Sequence, residues 1–549
     1  MIRDFSFHNY KAFKDGKIEI KPLTILLGAN SVGKSSISQL LLMLKQTASE
    51  MHEYDESSFR LNGQNVGLGE NVNLLRNKDE QNILKFSFAF EDYVKEKIEQ
   101  SVTDMFFRNL DRLVIYTSKT NYLNLQEDFR RYRKNKSQFL AYLNSLNEAM
   151  RNNEISIWAK EFTPLLKQTE ELIKAYDFLT ALNKVVHKKN KMEIHFEYRL
   201  IRNSEKKISN FVVSRVLLTC DKTHIIDWYF NAVNGNIEFS LFSDLYKSRT
   251  DFCDENYRIQ LNRLFPDMPC NMFGLFSKSE VDIEYFCFDK TQDISIFLKI
   301  LYLLLQRVLN ELKDSFEDSM VNYVSPLRAY PKRYYFLDRG HVSSSLDTLD
   351  GDSITEILKD QKYIKELVNT WLRHFKLEID VETVEEIIHK LKVNQNGLSL
   401  DITDVGFGIS QLLPVIVQGF YTPMDSLTII EQPEVHLHPR MQADLGDLFI
   451  DIVFPYKQNE ERRSTKNLLI ETHSEYLLKR IRRRIATGRI SSDDVAIYMV
   501  KTQDNPRCST INRVNIDKFG DFDWPEEFYG GELLQDTLEF LKVQATKKR

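Results

Sequence analysis

The order of apolar and polar positions lays out the chain before any chemistry is considered. Ile2 to Tyr10 and Lys17 to Ile20 alternate, which predicts a short strand pair leading into Leu23 to Leu27, an apolar run that predicts a buried strand. Ile37 to Leu44 predicts a helix, and Ile83 to Phe90 returns to period two, predicting sheet with one wet face. From about Glu91 to Lys191 glycines are few, and apolar residues such as Phe139, Tyr142, Leu143 and Leu146 fall at helical spacing. That stretch predicts an all-helical insertion. Strand texture resumes at Met192 to Leu200 and Val212 to Thr219, then at Asn236 to Phe242 after an Asn234-Gly235 turn, with a helix near Ile296 to Leu312. Further on, Leu427 to Glu434 is a buried-strand run that ends in acids, and Leu468 to Ser474 is a second buried strand that ends at a histidine. The predicted class is α/β: a mixed sheet flanked by helices and split by a long, largely helical insertion.

Composition narrows this picture only a little. A chain of 549 residues, 42% hydrophobic and 28% charged, is globular and long enough for several domains. Cys220, Cys253, Cys270, Cys287 and Cys508 form no C-x-x-C pair, which points away from a zinc ribbon or disulfide framework and towards a reducing, cytoplasmic setting. The N-terminus has no signal-peptide core, and Ile296 to Leu305 is too short and too interrupted, by Lys299, to read as a membrane span. The net charge of -5 carries no overall nucleic-acid signature.

The chemistry starts at Gly28. Gly28-Ala29-Asn30-Ser31-Val32-Gly33-Lys34-Ser35-Ser36 has the spacing of a P-loop between a strand and a helix, the context that motif requires. Backbone N–H groups and the helix N-terminus can hold a phosphate chain, Lys34 can reach the β- and γ-phosphates, and the Ser35 hydroxyl can ligate Mg²⁺. The expected ligand is ATP with Mg²⁺. Near the far end, Leu427 to Glu434 reads as a Walker B strand, in which the strand-tip acid, Glu431, serves the Mg²⁺. Gly406, Gly408 and Ser410 precede an apolar helical run, so Ser410 reads as its N-cap and Pro414 as a first-turn proline. His473 ends the last buried run. As a lone residue it could equally be a structural histidine. Glu434 with His436 and His438 has the composition of a metal site but lacks a clean third ligand.

Three other features stay open on sequence grounds. Arg328 and Arg333, in a stretch with two prolines at Pro326 and Pro331, suit either phosphate contact or a structural turn with ion pairs. The Arg130 to Lys136 run and the Lys479 to Arg484 helix suit either nucleic acid or a solvated basic face.

Taken in order, the P-loop, the Gly/Ser signature, the Glu431 to Pro439 stretch and Glu471-Thr472-His473-Ser474 resemble the ABC-type ATPase heads of the SMC, RecF and OLD kind. Tyr323 to Tyr335 and the tail Phe522 to Tyr529 resemble more narrowly the PtuA-type ATPases of Septu and retron anti-phage systems. The resemblance implies an N-terminal half over 1–90, an insertion over 91–320, a C-terminal half over 321–530 and a tail over 531–549. It also implies a head that pairs with a second copy, each ATP lying between one Gly28–Ser36 loop and the other copy's Gly408 and Ser410. His473 would then be the γ-phosphate switch histidine. Gln46 and Gln64 both fit the glutamine expected after the P-loop, with Gln64 preferred. The implied partners are an HNH nuclease of the PtuB kind and, in retron-linked versions, a reverse transcriptase with its msDNA.

One position departs from the pattern. The water-activating glutamate of most relatives is here Gln432, whose amide can orient water but cannot take its proton. Glu434 is the substitute available, and slow or conditional hydrolysis is the favoured expectation. Fewer than about eighty residues follow His473, short for an added nuclease domain of the OLD type. A repair or chromosome-maintenance ATPase acting directly on DNA is the main alternative to the defence reading, and a self-sufficient OLD-like nuclease is the third.

Overall fold

The computed structural model describes residues 2–50, 58–117, 135–151, 169–188, 191–203, 208–233, 236–245, 260, 295–317, 319–336, 351–385, 387–454, 466–504, 507–522 and 538–544. Arg130 to Lys134 of the basic run, the Asn234-Gly235 turn and Asp523 to Tyr529 of the tail lie outside the described residues. The chain divides into two compact units. A P-loop unit takes residues 3–51, 60–80 and 314–549, and an inserted unit takes 1–2, 52–59 and 81–313.

The P-loop unit begins with β1 (Ile2–Tyr10), β2 (Phe13–Glu19), β3 (Leu23–Leu27) and α1 (Lys34–Glu50). In the inserted unit, β4 (Leu84–Phe90) is followed by α2 (Asp92–Thr117), α3 (Lys136–Arg151) and α4 (Thr169–Val186). Then come β5 (Met192–Asn203), β6 (Ile208–Cys220), β7 (Thr223–Val233), β8 (Asn236–Phe242) and α5 (Ile296–Asp314). The four pairings from β4 to β8 are antiparallel and join neighbours in that order. Phe139, Tyr142 and Leu143 are buried as their spacing predicts, and Phe139 stacks on Tyr176 with ring centroids 4.3 Å apart. Period two in Ile83 to Phe90 did mark a strand. Its partner is β5 of the inserted unit, because alternation reports a half-buried strand and not which strand it joins.

The chain returns to the P-loop unit with β9 (Val321–Val324), β10 (Tyr335–Phe336), α6 (Asp352–Asp360), α7 (Lys362–Leu372), β11 (Leu377–Glu385), β12 (Ile388–Gln395) and β13 (Leu398–Asp401). It continues with α8 (Phe407–Tyr421), β14 (Leu427–Glu431), α9 (Pro439–Val453), β15 (Asn467–Glu471), α10 (Glu475–Ala486), β16 (Val495–Asp504) and β17 (Arg507–Val514). Its main sheet runs β1-β2-β17-β16-β3-β15-β14-β9. From β16 to β9 every pairing is parallel. These central strands are buried on both faces, which is why they read as continuous apolar runs. A small antiparallel sheet of β10 to β13 carries α6 and α7, whose Leu358, Val368 and Trp371 join the same core. The fold is thus the α/β arrangement expected.

The helix after the Gly/Ser segment differs from expectation. It starts at Phe407 with Gly406 as N-cap, so Ser410 is its fourth residue and not its cap. Pro414 falls inside the helix, eight residues in. There its missing N–H removes the donor that would face the carbonyl of residue 410. Among the described residues no helix is long and apolar enough to cross a membrane.

Candidate nucleotide site

Sheet order places the candidate residues together. β3 lies between β16 and β15, and β14 lies beyond β15, so the loops after β3, β14 and β15 leave the same edge of a parallel sheet. Gly28, Ser31 and Gly33 all take positive φ, the backbone that lets the loop wrap. A side chain at Gly28 would put its Cβ 2.4 Å from the Val500 carbonyl, so only glycine fits against β16. Ser509 of β17 donates to the Val32 carbonyl at 2.7 Å and steadies the loop from the other side.

A cavity of about 300 Å³ opens here, lined by Asn30, Ser31, Gly33, Lys34, Ser35, Ser36, Gln39, Gln432 and Glu471. Lys34 is buried, with Nζ donating to the carbonyls of Gly28 (3.0 Å) and Ala29 (2.8 Å). Burial lowers its pKa, against the opposing pull of Glu471. The Glu471 carboxylate accepts from Ser35 Oγ at 3.2 Å and lies 3.7 Å from Lys34 Nζ. Burial pushes Glu471 up. A wrapped backbone, a lysine, a hydroxyl and a carboxylate are the donor set for a triphosphate and a hard cation, so the cradle fits ATP and Mg²⁺.

The other predicted residues take varied places. Glu431 pairs in register with Glu471 across β14 and β15, but it is not among the cavity-lining residues; its carboxylate accepts from Tyr323 OH at 3.2 Å. Burial, with Glu471 next to it, pushes Glu431 up to about 7. Gln432 lines the cavity at positive φ, and its N–H donates to the Glu471 carbonyl at 2.8 Å. Glu434 turns away to β15: its two oxygens accept from Thr472 Oγ1 (2.8 Å) and the His473 N–H (2.7 Å). His473 Nε2 makes no hydrogen bond among the described residues, and burial, then Lys34, lower the ring's pKa. Gly408 and Ser410 do not line the cavity; Gly408 sits against the His436 carbonyl, which a Cβ would approach to 3.0 Å.

Gln46 is fully buried and serves the 60–66 turn, donating to the Arg60 carbonyl and accepting from Asn65 and Val66. Gln64 is exposed in that turn and away from the cavity lining. His438 caps α9 by accepting from the Arg440 N–H, and among the described residues no group of three or more His, Cys, Asp or Glu is placed to hold a metal ion. Arg328 is buried and bonded to carbonyls, while exposed Arg333 pairs with Asp404.

Two cavity-lining residues, Glu471 and Gln39, lie outside the predicted site positions. Glu471 ends an apolar run as Glu431 does, and Gln39 lies four residues beyond Ser35 on the same face of α1. Gln39 accepts from Lys11 Nζ at 2.5 Å.

This geometry defines a P-loop nucleotide-binding protein. A family model described as an AAA ATPase domain matches residues 1–478, and the chain belongs to that family of ATPases. Among the solved structures that match is the SMC head domain from Thermotoga maritima, 8% identical, with 94% of this chain and 99% of that chain covered at a TM-score of 0.32. A comparison with curated proteins found no match.

Proposed function

We propose that this chain is the ATP-binding ATPase subunit of a bacterial anti-phage complex. It is PtuA-like: it dimerises through ATP and controls a partner HNH nuclease of the PtuB kind, with a reverse transcriptase and its msDNA in retron-linked versions. The defence assignment rests on the resemblance of Tyr323 to Tyr335 and Phe522 to Tyr529. The observation that carries the control reading is Gln432, an amide lining the cavity where a proton acceptor would drive turnover. Such a site holds ATP longer than it hydrolyses it.

The P-loop backbone from Gly28 to Ser36 cradles the phosphates, and Lys34 turns from the Gly28 and Ala29 carbonyls to the β- and γ-phosphates. Ser35 would hold the Mg²⁺ directly and Glu431 through water, and the bound ion would neutralise charge on the phosphate oxygens. Glu434 is a positioning residue that fixes the start of the His473 loop, leaving Nε2 to meet the γ-phosphate. Direct DNA binding finds little support in α10, whose Arg480, Arg482 and Arg484 are paired with aspartates.

Co-purification with the product of the neighbouring gene tests the reading, with ATP turnover and nucleic-acid cleavage assayed side by side. The expected result is slow turnover, cleavage only in the complex, and altered cleavage with Lys34→Ala. Cutting or ATP-dependent tethering of DNA by this chain alone would replace it with the nuclease or repair reading.

A further inference from the structure

The carboxylate nearest the P-loop is not the one that the motif order selects. Glu431 and Glu471 end adjacent parallel strands in register, so both side chains leave the same sheet edge. Glu431 is held by Tyr323, whereas Glu471 lines the cavity. Both side-chain partners of Glu471 are P-loop groups: Ser35 Oγ at 3.2 Å and Lys34 Nζ at 3.7 Å. Each is a group that faces cation or phosphate in a loaded P-loop. A buried acid at the end of Leu468 to Ile470, which are almost fully buried, is costly to desolvate and helps little with packing there.

We infer that Glu471 is a ligand-side carboxylate for the divalent cation of the bound nucleotide. It acts with Ser35, and Glu431 stands behind it. The inference rests on the ATP-site reading above. Hard divalent cations take oxygen ligands, and a carboxylate already on the Ser35 hydroxyl needs no rearrangement of the strand to supply one. With no cation present, the same charge beside Lys34 repels the nucleotide's phosphates.

Nucleotide affinity measured with Mg²⁺ and with EDTA tests this without reading turnover. Wild type should bind ATP at least about tenfold more tightly with Mg²⁺, and Glu471→Gln should lose that gain while binding metal-free ATP as tightly or more so. Mn²⁺ bound in the ternary complex, followed by electron paramagnetic resonance, should weaken in parallel. If Glu471→Gln does not fold, Glu471→Asp takes its place: it keeps the charge but draws the carboxylate back from Ser35, and should lose most of the same gain. An undiminished Mg²⁺ gain in either folded variant overturns the inference, even if metal-free binding tightens. Wild type that binds no ATP under either condition overturns the ATP-site reading instead.

Discussion

Arg328 shows how one side chain sets the geometry of the cavity rim. Its buried guanidinium donates to the carbonyls of Gln411 (3.2 Å), Glu431 (2.9 Å) and Gln432 (3.1 Å), tying the start of α8 to the end of β14. Burial lowers its pKa to about 10, so it stays charged at neutral pH. Gln432 adopts positive φ, a costly backbone for a non-glycine residue, and the Arg328 bond and the Glu471 carbonyl bond hold it there. Arg328→Met leaves three carbonyls without their donor and should destabilise the protein by about 3 kcal/mol. Arg328→Lys should recover only part of this, since one ammonium lacks the planar fork. Denaturant unfolding of the three proteins checks it, and an unchanged midpoint in Arg328→Met would show that the guanidinium does not hold the rim. The sequence could not reveal this role. The prolines marked a rigid turn, but the acceptors lie 83 to 104 residues further along the chain.

At the scale of elements, α9 and α10 are joined by charge. The apolar face of α10 (Leu477, Leu478, Ile481, Ile485) is buried, and its Arg480 and Arg484 meet aspartates of α9. Arg480 and Arg484 both bond Asp447, Arg480 also reaches Asp444 at 2.9 Å, and Arg489 spans Asp447 (3.1 Å) and Asp451 (2.7 Å). Partial burial raises the Asp447 pKa, but the Arg484 and Arg480 bonds outweigh it and the net shift is down. A lowered carboxylate pKa adds stability that is complete above the unfolded value, near 4, and is lost as pH falls through the folded value. Asp447→Asn should therefore cost about 1–2 kcal/mol at pH 7 and progressively less as pH falls below about 4, which unfolding over that pH range measures. A cost that does not change with pH would assign the loss to packing. Elements such as β3, β14 and β15 were legible because doubly buried strands must be apolar throughout. The start of α8 was not, since two glycines and a serine suit a cap and a first turn equally well. The charged face of α10 was legible as basic, but its aspartate partners sit on another helix with no local signal.

For the whole molecule, the order of motifs along the chain made the nucleotide site legible even though 233 residues of inserted unit, 81–313, interrupt the P-loop unit. What order alone leaves open is which chain's signature serves which site. Within one chain the cavity is lined by the P-loop, α1, Gln432 and Glu471, and neither Gly408 nor Ser410 reaches it. On the proposed reading the signature acts on the ATP of a second copy, in a two-fold pair with two equivalent sites. Lys34→Ala removes the P-loop contribution, and Gly408→Glu fills the close approach to the His436 carbonyl and puts an acid on the signature face. Each variant alone should be inactive. In a heterodimer of the two, both defects fall in one site, and the other site combines an intact P-loop with an intact signature. An equal mixture should recover about a quarter of wild-type turnover if subunits pair at random and sites act independently. If each site used its own chain's signature, every site in the mixture would carry a defect and mixing would restore nothing.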